Sequence, residues 1–149
     1  MTKGRPPATD PGQHMNKNTL KSIGAIVLGA LVAILLSTGS DAMMRLMGFF
    51  TEGGPPTGDG PFAVASIYRT VYGVAGAYIT ARLAPDRPLM HALILGFLGF
   101  IASTAGAVAM WNKLPSLGPR WYAIVLIVLA IPTAWAGGAL CLAQLRRQT

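Results

Sequence analysis

Residues 21–50, 62–83, 89–111 and 121–145 form four apolar blocks, each at least as long as the roughly 20 residues a helix needs to cross the hydrocarbon core of a bilayer. Nothing else in the chain constrains its fold as strongly. Only 11% of its 149 residues are charged, whereas a soluble domain carries charge on roughly a quarter. The chain is therefore predicted to be an all-α, antiparallel four-helix transmembrane bundle: a multi-pass protein with one membrane domain over residues 19–149 and the lipid bilayer as its partner. Its 18 glycines fit that class, because many lie inside the blocks, where small residues let helix backbones approach closely.

The formal charge of +7 does not mark a nucleic-acid surface, since the twelve lysines and arginines are scattered at helix ends without interleaved aromatics. Membrane topology accounts for them better. Lys3, Arg5, Lys17, Lys21, Arg82, Arg87, Arg146 and Arg147 fall on one side. Lys113 and Arg120 fall on the other, with Glu52 and Asp59 in its first loop. The positive-inside rule then places both termini in the cytoplasm. Residues 1–18 are polar and are expected to form a disordered cytoplasmic tail. The same region loosely resembles a cleaved signal peptide, with a 14-residue apolar core and Ser40 and Ala42 near a cleavage pattern. Against that, the leader before the core is long, and "AMMRLMGFF" continues as helix.

Loop 51–61, "TEGGPPTGDGP", is the clearest break and is external in this topology. "APDRP", residues 84–88, is short enough to demand a tight turn. Trp111, Trp121 and Tyr122 fit an aromatic belt at the outer interface. Pro132 removes a backbone donor inside the fourth block and predicts a kink there.

Small residues recur at helical spacing on three helices. Ala25, Gly29, Ala33, Ser37 and Asp41 form one stripe, Arg69, Gly73, Gly76 and Thr80 a second, and Gly96, Gly99, Ser103 and Gly106 a third. Such seams predict tight packing and specify no function. "LGALVAILLSTGSDAM" and "LGFLGFIASTAGAVAM", offset by 67 residues, share seven identities, Gly29 with Gly96 among them. A two-helix duplication is one source of such similarity; apolar low complexity is the other.

The charges inside the blocks carry the one site hypothesis. By helical rise Asp41 lies about 30 Å beyond Lys21, and Arg69 about 10 Å into its helix from Phe62, so both are expected in the outer third of the membrane. A charge at the centre of a span costs about 2.5–3.5 kcal/mol and less toward the interface, so each needs a partner facing the bundle. Asp41 has two candidates, Arg45 one turn on and Arg69 across the hairpin. Arg69 is preferred, because Arg45 reaches the surface by snorkelling whereas Arg69 is deeper and flanked by Tyr68 and Tyr72. The expected polar cluster is thus Asp41, Arg45, Tyr68, Arg69 and Tyr72. It acts either as a structural clamp or, with Asp41 released, as a proton or cation carrier; a neighbouring guanidinium favours the charged carboxylate and hence the clamp.

Other chemistry is thinly represented. His14 lies in the tail, His91 near the cytoplasmic end of the third helix, and Cys141 in the fourth block, which is no metal-ligand set and no basis for a disulfide. Nucleophile-elbow, zinc-protease and phosphate-loop motifs are missing, so the expectation is a non-enzymatic protein without a cofactor.

"YRTVYGVAGAYITARLAPDRPLMHALILG" (residues 68–96), followed by "GAVAMWN" and "GPRWY", resembles a pattern in a family of short, functionally uncharacterised bacterial multi-pass membrane proteins. Members of that family also carry an acidic residue late in helix 1, here Asp41, and a Tyr-Arg pair, here Tyr68 and Arg69. The resemblance runs from helix 1 to helix 4. It implies a bacterial cell inner membrane protein of four helices and brings no activity with it. Small multidrug transporters have a similar size and helix count, but their acidic residue lies mid-helix and without an arginine. A small ion-coupled or solute transporter, homo-oligomeric and with Asp41 as its coupling site, is the alternative to the clamp.

Overall fold

A computed structural model of the chain describes residues 11–49, 58–113 and 118–148. It is an all-α four-helix bundle: α1 spans Pro11–Leu46, α2 Gly60–Leu83, α3 Pro88–Ala109 and α4 Arg120–Arg146. Three of these, α1, α3 and α4, are long and apolar enough to cross a membrane. The fourth expected span, α2, is not among them, because Arg69 and the tyrosines 68, 72 and 78 dilute its apolar content. It packs against α1, α3 and α4, and a helix so surrounded needs less apolar surface of its own.

Both ends of α1 differ from the expected 21–50. At its start, residues 11–18 of the expected disordered tail are helical, and residues 1–10 lie outside the described residues. Proline is tolerated at a first helical position, and adding polar residues to an existing helix avoids the cost of a new nucleus. At its end the helix stops at Leu46. Gly48 takes a left-handed backbone (φ 79°), its N–H bonds to the Arg45 carbonyl, and the Phe49 N–H bonds to the Met44 carbonyl, each at 3.0 Å. That is a Schellman cap, which glycine enters without the strain of a side chain. Of the expected external loop 51–61, residues 51–57 lie outside the described residues, and Gly60 and Pro61 already belong to the first turn of α2, where proline is tolerated.

The interior is built from small side chains. Ala77, Ala81, Ala92, Ala134 and Cys141 form the buried core, which gives the cysteine a packing role. Long apolar side chains point outward from every helix: Leu35 is 68% exposed, Ile67 66%, Val108 71% and Trp135 58%. A soluble monomer rarely exposes a contiguous apolar patch above a few hundred Å². With three membrane-length helices, this arrangement marks a membrane-embedded protein.

Backbones meet where glycine allows it. A Cβ added at Gly29 would overlap Thr80 Oγ1 and the Gly76 carbonyl, and one at Gly76 would lie 2.6 Å from the Gly29 carbonyl oxygen. Thr80, fully buried, donates to the Ala25 carbonyl at 3.2 Å. On the other flank of α2, Gly137 abuts Val74, Ala77 and Tyr78, while Gly138 and Ala134 of α4 meet Ala92 and Gly96 of α3. The expected third seam is only half used: Gly96 is buried against Ala134, but a Cβ on Gly99 or Gly106 would meet nothing within 4 Å. The seam on α4, Ala134 to Cys141, is the one that periodicity overlooked. Helix α4 runs through Pro132, where the Thr133 hydroxyl donates to the Leu129 carbonyl at 2.8 Å.

Gly76→Val and Gly137→Val are expected to lower the thermal midpoint of the purified protein in detergent, through overpacking of about 1–3 kcal/mol. Gly39→Ala, which meets nothing within 4 Å, should leave the midpoint unchanged or raise it, since alanine favours helix by about 1 kcal/mol over glycine. Equal losses at Gly39 and Gly76 would contradict the assignment of close contacts.

Candidate functional site

Contacts between α1 and α2 run in opposite chain order, from Ala25 with Thr80, through Gly29 with Gly76, to Ser40 with Tyr72. Asp41 and the first turns of α2 therefore share one end of the bundle. Side chains of a helix lean toward its N-terminus, so Tyr68, Arg69 and Tyr72 of α2 reach toward Asp41.

There the Arg69 Nη2 donates to Asp41 Oδ2 as an ion pair, and the Tyr68 hydroxyl donates to Asp41 Oδ1. Both carboxylate oxygens are engaged from α2. The pair is half-buried, with 33% of the Arg69 side chain and 26% of the Asp41 side chain exposed. One turn further along α2, the Tyr72 hydroxyl lies 2.9 Å from Ser40 Oγ, and the Tyr68 and Tyr72 rings are 5.8 Å apart. Arg45, the remaining member of the expected cluster, is exposed in the last turn of α1, where a cation complements the helix dipole.

Two members of the cluster had no sequence signal. Ser40 reads as one of several small residues late in α1. Tyr122 reads as an interfacial anchor, yet its ring lies 5.9 Å from the Arg69 guanidinium carbon and packs edge-on to Phe62 at 5.4 Å. It brings α4 to the same end of the bundle. Of the other belt residues, Trp121 Nε1 donates to Asp59 Oδ1 at 3.0 Å, tying the start of α4 to the residue before α2. Arg120 lies over the Trp111 ring at 5.2 Å.

Arg69 is thus held by a carboxylate and a tyrosine ring, but its hydrogen bonding is incomplete. Its Nε is buried and has no acceptor among the described residues. Elsewhere the chemistry is sparse. His91 Nδ1 lies 3.2 Å from the Arg87 carbonyl, within its own helix start. Among the described residues no three His, Cys, Asp or Glu side chains converge as a metal-ligand set.

The Ser40 and Tyr72 hydroxyls are expected to couple by about 0.6 kcal/mol in a double-mutant cycle of Ser40→Ala and Tyr72→Phe, the usual size for a polar contact between membrane helices. Reversible unfolding in mixed micelles reads it; strictly additive single effects would mean that the two hydroxyls do not bond in solution. Comparison with known protein families, with characterised proteins and with solved structures finds no match, so the geometry above carries the functional reading by itself.

Proposed function

We propose that this is a non-enzymatic, multi-pass protein of a bacterial inner membrane, with four antiparallel spans and both termini in the cytoplasm, in which Asp41 and Arg69 form a structural clamp between the first two helices. The observation that carries this reading is that both Asp41 carboxylate oxygens are taken by α2, one by Arg69 and one by Tyr68. An ionised group in an apolar span is tolerated when it is paired in this way. The distribution of lysine and arginine supports the orientation, since eight of the twelve fall on the side of the termini. Helix α2, too polar to be counted as a span by composition alone, enters the membrane in this reading with its arginine already neutralised.

A transporter coupled through Asp41 would need that carboxylate released from two donors in every cycle. The clamp needs no such step, and the enclosure of Arg69 by Tyr122 supports it as well.

Removing one member of the pair leaves an unpaired charge in the span, at a cost of about 2–3 kcal/mol. Asp41→Asn and Arg69→Gln are each expected to lower the amount of protein in the membrane fraction, and the double variant to restore much of it. Normal accumulation of Asp41→Asn, together with loss of an uptake or efflux phenotype, would replace the clamp with the transporter. For orientation, single cysteines introduced near residues 3 and 148 in a Cys141→Ala background should resist a membrane-impermeant maleimide in intact spheroplasts and react after lysis.

A further inference from the structure

Between the four helices lies a cavity of about 500 Å³. Its walls are largely apolar, with Ile34, Leu98 and Leu126 typical, and each helix adds one hydroxyl: Ser37, Thr70, Ser103 and Thr133. The cavity falls within the 300–1,000 Å³ range of ligand sites, and its polar groups are few, as in such sites.

Those polar groups are not evenly spread. Along α1 the lining runs from Ile26 to Ser37, along α3 from Leu95 to Ser103, and along α2 from Ala77 back to Arg69. Asp41 bonds Arg69, and Arg69 faces Tyr122 at the start of α4, so Ser37 and Arg69 share one end. Gly96 of α3 packs on Ala134, and Gly138 of α4 packs on Leu89 and Ala92, so Ser103 points to that same end. The other end is closed by Ala77, Leu95 and Ala134. The cavity therefore carries Ser37, Ser103 and Arg69 at one end, while the Thr133 hydroxyl farther along is spent on the Leu129 carbonyl.

Two hydroxyls at the polar end are unspent. Hydroxyls on membrane helices commonly donate to a carbonyl one turn back, and Ser66, Thr70, Thr104 and Thr133 do so here. Ser37 and Ser103, both partly exposed, make no hydrogen bond among the described residues, whereas the Arg69 Nε, also without an acceptor, is buried out of reach of the cavity. A hydrogen bond made to such a hydroxyl contributes about 1 kcal/mol, so an acceptor on a bound molecule finds a donor there. Charge decides its kind. Asp41 neutralises Arg69 and no other ionised group lines the cavity, so a charged occupant would be left uncompensated. Access comes from the bilayer: α1 packs chiefly on α2 and only slightly on α3, which leaves the α1 wall the thin one.

We propose that this cavity binds a neutral, lipid-soluble molecule whose carbonyl oxygen accepts from the Ser37 or Ser103 hydroxyl, with its apolar remainder directed toward Leu95. A free ketone or ester and the acyl ester of a bilayer lipid offer that same chemistry. The inference takes from the clamp only that Asp41 neutralises Arg69.

The test uses the full chain in phosphatidylcholine nanodiscs with benzophenone, a neutral diaryl ketone that inserts into nearby C–H bonds under ultraviolet light. Adducts mapped by mass spectrometry are expected to concentrate on cavity residues such as Leu98 and Leu129. Phenyl benzoate, which keeps a carbonyl, should compete better than diphenylmethane, which lacks one, by about fivefold for one lost hydrogen bond. Gly99→Phe fills the cavity from a position where a Cβ meets nothing within 4 Å, so it should abolish cavity adducts while preserving folding and the Asp41–Arg69 pair. Ser37→Ala with Ser103→Ala should remove the advantage of the ester over the hydrocarbon. Adducts no denser in the cavity than on Leu35 or Val108, adducts that survive Gly99→Phe, or equal competition by the two compounds would each overturn the proposal. Repeating the labelling in ether-linked phosphatidylcholine identifies the source. A rise in cavity adducts assigns the site to the bilayer's own ester, and an unchanged yield assigns it to a free molecule; either result supports the carbonyl site. Cavity labelling that persists while the Asp41→Asn and Arg69→Gln variants accumulate normally would separate this site from the clamp and refute the clamp alone.

Discussion

Everything in this bundle depends on how closely α1 and α2 approach at Gly29 and Gly76. Within lipid, burying one apolar side chain against another gains little, because the tails it leaves are as apolar as the helix it meets. Association must come from dispersion contacts and from polar groups that find partners. Two facing glycines bring the backbones near enough for both: a Cβ on Gly76 would lie 2.6 Å from the Gly29 carbonyl oxygen, and the Thr80 hydroxyl crosses to the Ala25 carbonyl. Helix α4 repeats the device on the opposite side of α2 with Gly137. The large side chains displaced from the interior then form the lipid-facing surface.

That approach also sets the register that joins the charges. Asp41 lies twelve residues beyond Gly29, about 18 Å by helical rise, while Arg69 lies only seven before Gly76, about 10 Å. The difference of about 8 Å is covered by the arginine itself, whose side chain leans toward the α2 N-terminus and so toward Asp41. A lysine would carry the charge but not the planar donor set that leaves Nε over after Nη2 is used. Tyr68 and Tyr72 likewise bridge to Asp41 and Ser40 by their length. On α2 the long polar side chains and on α1 the short ones are thus two halves of one fit.

The four helices were legible because apolar length is a property of each segment alone. Small-residue spacing was legible in the same way, but spacing does not say which seam finds a partner. Gly96 and Gly99 share a stripe, and only Gly96 meets another helix; Gly137 and Gly138 were passed over, yet they are among the tightest contacts. The choice belongs to the arrangement of all four helices, which no single periodicity contains. Asp41 with Arg69 could be anticipated from depth and charge. Tyr122 could not, since its role depends on α4 delivering it to the α2 flank, and an aromatic at a helix start is equally an interfacial anchor. The end of α1 was readable locally and was misplaced: apolar content continues to Phe50, but Gly48 supplies the left-handed residue that stops the helix first.

The asymmetry of the ion pair connects packing to the cavity. Asp41 is satisfied on both oxygens by one neighbouring helix, so its charge is settled within the α1–α2 interface. Arg69 is held by that carboxylate and by the Tyr122 ring, yet one of its donors remains inside the bundle without an acceptor. A guanidinium neutralised on one face keeps its directional N–H groups on the others, so it offers polarity to the interior without offering net charge. Ser37, one turn before Asp41 on the same stripe, and Ser103 on the half-used seam of α3 add hydroxyls beside it. The glycines that leave α3 without a close partner there are also what leave the space open. A bundle held by small residues therefore acquires a cavity wherever two seams fail to meet, and here that cavity lies against the one cation the interior contains among its described residues.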